Sequence, residues 1–558
     1  GTTGRLFREF SIVVSGSVII SSFAALTFTP MLATKLLIKR EQQSWFYRKT
    51  EPFFEGMNRV YSQSLAAFLK RRWIALPFTI VTILLIGVLW NTIPAEMAPL
   101  EDRSQISINT MGAEGVTYEY IRDYTEDINH LVDSIIPDAE AVTARVSSGS
   151  GNVRITLKDM KDRDYTQMEV AEKLSKAVQK KTMARSFVQQ SSSFGGRRGG
   201  MPVQYVLQAT NIEKLQEVLP KFMTKVYENP VFQMADVNLK FSKPEARINI
   251  NRDKASIMGV STKNIAQTLQ YGLSGQRMGY FYMNGKQYEI LGEINRQQRN
   301  KPADLKGIYI RSDNGNMVQL DNLIELTGGI APPKLYRYNR FVSATISAGL
   351  ADGKTIGQGL DEMDKIAKET LDETFRTALT GDSKEYRESS SSLMFAFILA
   401  IVLIYLILAA QFESFKDPLI IMLTVPLAIA GALVFMYFGD ITMNIFSQIG
   451  IIMLIGLVAK NGILIVEFAN QKQEAGEDKM RAIKDASLQR LRPILMTSAS
   501  TILGLIPLAF ATGEGCNQRI AMGTAVVGGM LISTLLTMYI VPAIYSYVST
   551  NRSKLKTE

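Results

Sequence analysis

Lys460 and Asn461 lie together in the middle of GIIMLIGLVAKNGILIVEF, residues Gly450–Phe468, a stretch apolar and long enough to cross a bilayer. A lysine at the centre of a membrane helix costs roughly 2.5 to 3.5 kcal/mol on insertion scales. Such a residue persists where something pairs with it or where its charge is used. Snorkelling to an interface does not serve here, because about two turns of apolar helix separate Lys460 from the nearer end of the stretch. Glu467, the one acid of the stretch, lies two turns further on, and no other long apolar run carries an acid near its centre. Lys460 is a cation at membrane depth that lacks a visible counter-ion.

The elements that must hold it are apolar runs of spanning length at residues 11–36, 73–93, 391–411, 416–438, 445–469, 493–512 and 519–547. Between the second and third lies a polar block of ordinary globular composition. The 558 residues therefore divide into a membrane part and one large water-exposed part. The formal charge of +10 is sorted by membrane side, which argues against nucleic acid as a partner. Lys35, Lys39 and Arg40 follow the first run, Arg71 and Arg72 precede the second, and Lys472, Lys479, Arg481, Lys484, Arg490 and Arg492 follow the fifth. Arg552, Lys554 and Lys556 end the chain. The positive-inside rule places all of these in the cytoplasm and the 94–386 block on the opposite side, and all seven runs agree. One cysteine, Cys516, excludes a disulfide framework, and one histidine, His130, leaves little for a transition-metal site. The chain begins GTTG on the non-cytoplasmic side, and we read it as the later part of a longer polypeptide.

Residues 46–70 carry Phe54, Met57, Tyr61, Leu65 and Phe68 at helical spacing with basic flanks, which predicts an amphipathic helix on the cytoplasmic surface. The large block alternates strand and helix patterns. Strands are expected at Ser104–Thr110, Ala139–Ser147 and Asn152–Lys158, with helices at Tyr118–Ile135 and Met168–Lys180. The order recurs with strand Val203–Ala209, helix Ile212–Glu228, and strands Val231–Phe241 and Ala246–Asn251, then again with Phe341–Ala348 and Thr355–Leu371. These are split βαβ units of the ferredoxin-like kind. Residues 252–335 differ in texture, with a helix at Thr262–Tyr271, a Gly- and Tyr-rich hairpin at Gly275–Gly285 and the charged loop Glu293–Lys301, and are read as an insertion. The fold class expected is an α+β membrane protein.

Three motifs reduce to plainer readings. Gly349–Thr355 (GLADGKT) is one residue short of a P-loop and reads as a strand-to-helix turn with Thr355 at the cap. Ser191–Gly200 (SSSFGGRRGG) reads as a flexible loop rather than an RNA-binding segment. The 25 methionines are scattered over apolar faces and read as packing, not copper ligands. The Gly528-Gly529 pair and Pro507 suit close helix packing and helix kinking.

GLVAKNGILIVEFA (Gly456–Ala469) and LQRLRPILMTS (Leu488–Ser498) resemble segments of the hydrophobe/amphiphile efflux branch of the RND superfamily, whose familiar members are AcrB-type drug pumps. GTTGRLFREF (Gly1–Phe10), Phe28-Thr29-Pro30, Gln411–Pro418 and the stretch Asp253–Thr268 with its MGVS are similar as well. The resemblance runs end to end and makes the chain look like the sixth to twelfth transmembrane helices plus the second half of the periplasmic domain. It implies a proton/drug antiporter of the Gram-negative inner membrane, a homotrimer without cofactors and without enzymatic activity. Its implied partners are a periplasmic adaptor protein, a TolC-like outer-membrane channel, the lipid bilayer, amphiphilic small molecules and the N-terminal half of the pump. In that family a lysine of the tenth helix, an arginine and a threonine of the eleventh and two aspartates of the fourth form the proton relay. Those roles fall on Lys460, Arg490 and Thr497, with Asn461 beside the lysine, and the aspartates belong to the N-terminal half. Two carboxylates facing an ammonium in low dielectric have coupled pKa values, so protonating them releases the lysine and lets the helices repack.

The implied division is residues 1–40 and 73–93 as transmembrane helices around a surface helix at 41–72, and 94–202 as a first porter subdomain. Residues 203–251 and 336–386 make a second porter subdomain, 252–335 a docking subdomain, 387–550 a five-helix bundle and 551–558 a tail. In the docking subdomain, Glu293–Lys301, with Glu293, Arg296, Arg299 and Lys301, is expected to form a distal hairpin facing the adaptor or outer channel. Drug pumps of the family line a deep pocket with phenylalanines. Here the corresponding loop is short, from Ser147 to Asn152, and Arg154 stands where a phenylalanine is expected. Phe187 and Phe194 keep aromatic character in the outer cleft. The alternatives are a heavy-metal exporter of the same superfamily and a non-transporting membrane scaffold or protein-export accessory with porter-like domains.

Overall fold

The computed structural model describes residues 2–36, 45–190, 201–331, 334–351 and 353–550. Phe194, the Ser191–Gly200 loop and the basic residues of the tail lie outside the described residues. The fold is α+β, with seven helices among the described residues long and apolar enough to cross a membrane. The helices are α1 (Thr2–Leu36), α2 (Trp45–Lys70), α3 (Ala75–Thr92), α4 (Tyr118–Ile135), α5 (Gln167–Gln179), α6 (Ile212–Glu228), α7 (Arg252–Ile257), α8 (Thr262–Ser274), α9 (Ile356–Thr370), α10 (Gly381–Phe412), α11 (Lys416–Met422), α12 (Thr424–Phe438), α13 (Ile445–Glu474), α14 (Lys479–Ala509) and α15 (Cys516–Val548). The strands are β1 (Gln105–Met111), β2 (Ala141–Ser147), β3 (Ser150–Thr156), β4 (Arg185–Gln190), β5 (Val203–Ala209), β6 (Phe232–Val237), β7 (Lys243–Ile250), β8 (Gln276–Met283), β9 (Lys286–Gly292), β10 (Tyr309–Arg311), β11 (Met317–Gln319), β12 (Ile324–Ala331), β13 (Tyr336–Tyr338), β14 (Phe341–Leu350) and β15 (Arg376–Leu379).

The bundle is built around α15, which packs on α12, α13 and α14. Small residues allow it. A Cβ on Gly431 of α12 would lie 3.0 Å from the Gly528 carbonyl oxygen and 3.2 Å from the Gly529 Cα of α15. The glycine pair thus serves close packing, as its sequence suggested. The apolar run expected at 391–411 lies within α10, which starts nearly three turns earlier as a polar extension and runs unbroken from Gly381. Its first turn is fastened by Ser383, which is fully buried, donates to the Pro202 carbonyl and accepts from the Gln204 N–H.

Helix α2 is amphipathic as expected, but its apolar face is spent on protein. Tyr61, Leu65 and Leu69 are buried in one cluster with Ile483 and Tyr545. The Tyr61 hydroxyl donates to the Met538 carbonyl at 2.7 Å, and Arg492 of α14 pairs with Glu51 at 3.4 Å while lying over the Phe54 ring. Burying a buried-edge tyrosine this way satisfies its hydroxyl and its ring together.

Residues β1 to β4 form an antiparallel sheet in the order β2-β3-β1-β4, with α4 and α5 on one face. The period-two alternation of a strand puts Ile106, Ile108, Val153 and Ile155 under the helices and leaves Asn109, Asn152 and Arg154 on the open face. A second sheet repeats the plan in the order β13-β14-β5-β15, with β6 also paired to β14 on the edge away from β5. Both follow the chain order βαββαβ of the ferredoxin-like unit. Thr355 stands at the cap of α9, its N–H donating to Gln358 Oε1 at 3.2 Å, so the P-loop-like turn is a helix start.

A separate compact unit comprises residues 112–120 and 239–336. The strand expected at Ala246–Asn251 as part of the second βαβ unit is β7, and it pairs instead with β12 of this unit, Ile250 opposite Ile324. Two hairpins extend from it, β8–β9 and β10–β11. Asn284 and Gly285 both have positive φ at the β8–β9 turn, so Gly285 marks the tip rather than the end of that hairpin. Glu293–Lys301 does not form a hairpin. It contains a short 3-10 turn, Arg296–Gln298, and its charges fold back onto the same unit. Arg296 donates to Glu119 at 2.5 Å and holds that carboxyl down at about 2. Arg299 reaches Glu293 at 2.8 Å and the Leu273 carbonyl at 2.9 Å, and the Lys301 N–H donates to Asp304. Guanidinium donors that find carboxylates nearby are not left to form a free tip.

Candidate functional site

Helix α13 starts at Asn444, whose side-chain oxygen accepts the N–H groups of Phe446 and Ser447, both at 3.0 Å, in the reciprocal manner of a capping box. From that fixed start the helix carries Lys460 and Asn461 to mid-bundle. Asn461 is 2 % exposed and donates to Ser498 Oγ at 3.2 Å and to Thr534 Oγ1 at 3.4 Å; Thr534 donates to Ser498 at 3.2 Å. One polar triangle thus ties α13, α14 and α15 in an apolar interior. A buried amide with satisfied partners fixes helix rotation, whereas an unsatisfied one would be costly.

With Asn461 held inward, Lys460 one residue earlier faces outward and is exposed. Among the described residues it has no ion pair or hydrogen bond. Glu467, the acid noted on the same stretch, accepts from Gln471 at 3.0 Å and is not its counter-ion. Lys460 thus stands on a stripe with Gly456 that the described bundle leaves uncovered.

Helix α14 runs antiparallel to α13, since Asn461 meets Ser498 while Phe468 meets Arg490. This sets Thr497 at the level of Lys460, with its hydroxyl donating to the Ile494 carbonyl at 3.1 Å. Arg490 is not brought to that level. It lies seven to eight residues away, about 11 Å at 1.5 Å per residue, stacked 4.4 Å over the Phe468 ring with its Nε buried and unbonded. Of the four relay candidates, Lys460, Asn461 and Thr497 gather at one level and Arg490 stands apart.

A second polar cluster, which the sequence reading missed, lies where α11, α13 and α15 meet. Asp417, 2 % exposed, accepts from Asn470 at 3.1 Å; Tyr545 donates to Asn470 at 2.5 Å and Gln473 to Tyr545 at 2.6 Å. The readable signal was Asp417, the lone acid of the apolar run 416–438, at its head.

In the first sheet, Ser147, Asn152 and Phe187 line a cavity of about 460 Å³ together with Asn109, Arg145 and Asp236. The Asn109 amide bridges the sheet, donating to Gln189 at 2.9 Å and accepting from Asn152 at 2.8 Å. Arg154 shares the open face with Asn152 but is exposed and outside this cavity. The guanidinium that lines it is that of Arg145, opposite Asn152 on β2, which the sequence reading passed over.

A profile described as the AcrB/AcrD/AcrF family matches residues 1–549. An uncharacterized transporter of Haemophilus influenzae (strain ATCC 51907 / DSM 11121 / KW20 / Rd) is 30% identical over 565 residues, an alignment that covers 100% of this chain and 55% of the relative. The chain spans about half the length of the curated relative it matches.

Proposed function

Because this chain belongs to the AcrB/AcrD/AcrF family of the RND superfamily, a family of membrane transporters, we propose that it is the C-terminal half of a proton-driven exporter of hydrophobic or amphiphilic compounds. Lys460 carries the proposal. It is a cation on an uncovered mid-bundle stripe, next to an asparagine locked into a buried triangle, and no described residue neutralises it. Two acids from the N-terminal half would face it in low dielectric. Their protonation releases the ammonium, and α13 and α14 repack. Thr497, level with Lys460, joins this step. Arg490, two turns away, acts on the route between the relay and the near end of the bundle. The assembly is a homotrimer in the Gram-negative inner membrane, with the βαβ sheets as periplasmic porter subdomains. The unit at 239–336 docks a periplasmic adaptor and a TolC-like outer channel, with Glu293, Arg296, Arg299 and Lys301 fixing its shape.

The test is export by the full polypeptide in a Gram-negative host stripped of its own pumps. Dye or bile-salt accumulation should fall on expression and return with a protonophore. Accumulation unchanged by expression, across neutral, cationic and anionic amphiphiles, would favour the scaffold reading.

Substrate choice follows from the open face of the first sheet. Arg154 and Arg145 set guanidinium groups on the side where Asn109 and Asn152 already offer amides, so anionic or zwitterionic amphiphiles fit better than flat cations. Replacing Arg154 with Phe should raise export of neutral or cationic dyes relative to bile-salt-like anions by about tenfold, the worth of one charge-assisted hydrogen bond. Parallel changes in both classes would mean that Arg154, on the open face but outside the cavity that Arg145 lines, takes no part in substrate choice.

A further inference from the structure

The strap between α3 and β1 is stitched to the bundle along its whole length. The Pro94 carbonyl accepts the Met443 N–H at 2.8 Å, the Glu96 N–H donates to the Met443 carbonyl at 3.0 Å, and the Ile445 N–H donates to the Met97 carbonyl at 3.3 Å. The Thr442 hydroxyl bonds the Glu96 carboxylate. The strap then ends in two adjacent acids that turn opposite ways.

Glu101 is 1 % exposed, and its carboxylate accepts the Gln518 N–H at 2.8 Å and the Asn517 N–H at 3.4 Å, both in the first turn of α15. The Asn517 side chain returns a bond to the Leu100 carbonyl at 2.7 Å. Asp102 accepts the Gln167 N–H at 2.8 Å, the first residue of α5, and the Arg163 guanidinium. The Gln167 side chain in turn accepts the N–H groups of Arg103 and Gln105 at 2.9 and 3.1 Å. Burial pushes the Asp102 carboxyl up, but these donors outweigh it and hold it below the usual aspartate range. A carboxylate satisfies the orphan N–H groups of a helix start and complements its positive end. Here consecutive carboxylates do so for two different helices. One is the central helix of the bundle, which carries Thr534 of the buried triangle. The other belongs to the first βαββαβ sheet.

We infer that Glu101–Asp102 is the mechanical joint through which displacement of α15 reaches the first porter subdomain. Glu101 is a positioning residue on this account, which rests on the transport reading above. An alternation of the buried triangle would shift α15 along its axis, and the doubly bonded carboxylate would carry the shift into β1. The same strap is anchored at Met443 and Ile445 of the α12–α13 turn, so Glu101 is what gives it a second, independent helix to follow.

The experiment replaces Cys516 with Ser in the full polypeptide and adds Glu101→Ala, or the pair Glu101→Cys and Asn517→Cys. Glu101→Ala should keep assembly and substrate binding, cut export roughly tenfold, and speed amide exchange at Asn517 and Gln518 by a similar factor, the worth of a lost cap. Joining the two cysteines with a short bis-thiosulfonate reagent should restore export, since a covalent link replaces the carboxylate. A role in folding alone would lower export and assembled protein together, and linking would rescue neither. Linked protein that assembles but stays inactive would overturn the joint, because the two ends would then have to part during the cycle. Unchanged exchange at Gln518 in Glu101→Ala would overturn it as well. If the parent protein exports nothing, the transport reading fails, and the exchange result still reports on the joint.

Discussion

Lys460→Ala should reduce export to the level of cells lacking the protein while assembled protein is recovered in normal amount. The lysine costs roughly 2.5 to 3.5 kcal/mol at membrane depth, so removing it carries no penalty of its own. Its side chain lies outside the packed interior of the described bundle, so truncation opens no cavity within this half. The Asn461–Ser498–Thr534 triangle that holds α13 to its neighbours does not involve it. On the proposed relay, what is lost is the cation that lets the facing carboxylates of the N-terminal half stay ionised; without it, one should take up a proton with a raised pKa and keep it. Lys460→Arg should fare little better, since a broad planar fork does not replace a compact ammonium. Export assays paired with size profiles of the purified variants check this. Export and assembly falling together would make Lys460 a packing residue.

The largest effect on folding is expected at the crossing of α12 and α15. Gly431→Val would place its Cβ 2.8 Å from Ile532 Cβ and within 3.0 and 3.2 Å of backbone atoms of Gly528 and Gly529. Backbone cannot swing aside as a side-chain tip can, so the helices must separate. Overpacking of this kind costs about 1–3 kcal/mol or more, against a total stability of roughly 5–15 kcal/mol. The crossing also aligns Thr534 with Asn461, so export should fall with stability. Gly87→Val in α3, where a Cβ meets nothing within 4 Å, is the matched control. Thermal unfolding in detergent should show a clear loss of midpoint for Gly431→Val and almost none for Gly87→Val. Equal melting of the two would mean the crossing is looser than the contacts at Gly431 require.

Much of this was legible locally. Apolar run length picked out the seven long helices, and period-two alternation picked out the strands that bury Ile106, Ile108, Val153 and Ile155. A lysine and an asparagine in the middle of an apolar run stood out by type alone. Features set by distant partners did not. The pairing of β7 with β12 joins Ile250 to Ile324 across the whole insertion, and nothing near Ala246 announces it. Arg296 reads as a free loop charge until Glu119 appears beside it from an earlier helix. The apolar stripe of α2 gave its amphipathic form but not the Met538 carbonyl that receives Tyr61. Glu101 and Asp102 look like two loop acids, and only the folded chain shows each at the start of a different helix.

Proton flux in proteoliposomes tests the central claim most directly. The full polypeptide is reconstituted with an imposed pH gradient, and the decay of the gradient is followed by an entrapped dye before and after adding an exported amphiphile. Wild-type liposomes should show decay that quickens on substrate addition, and Lys460→Ala liposomes of equal protein content should show no response. Substrate-driven proton flux that persists in Lys460→Ala, or a wild-type flux indifferent to every substrate that cells export, would contradict a proton relay at Lys460.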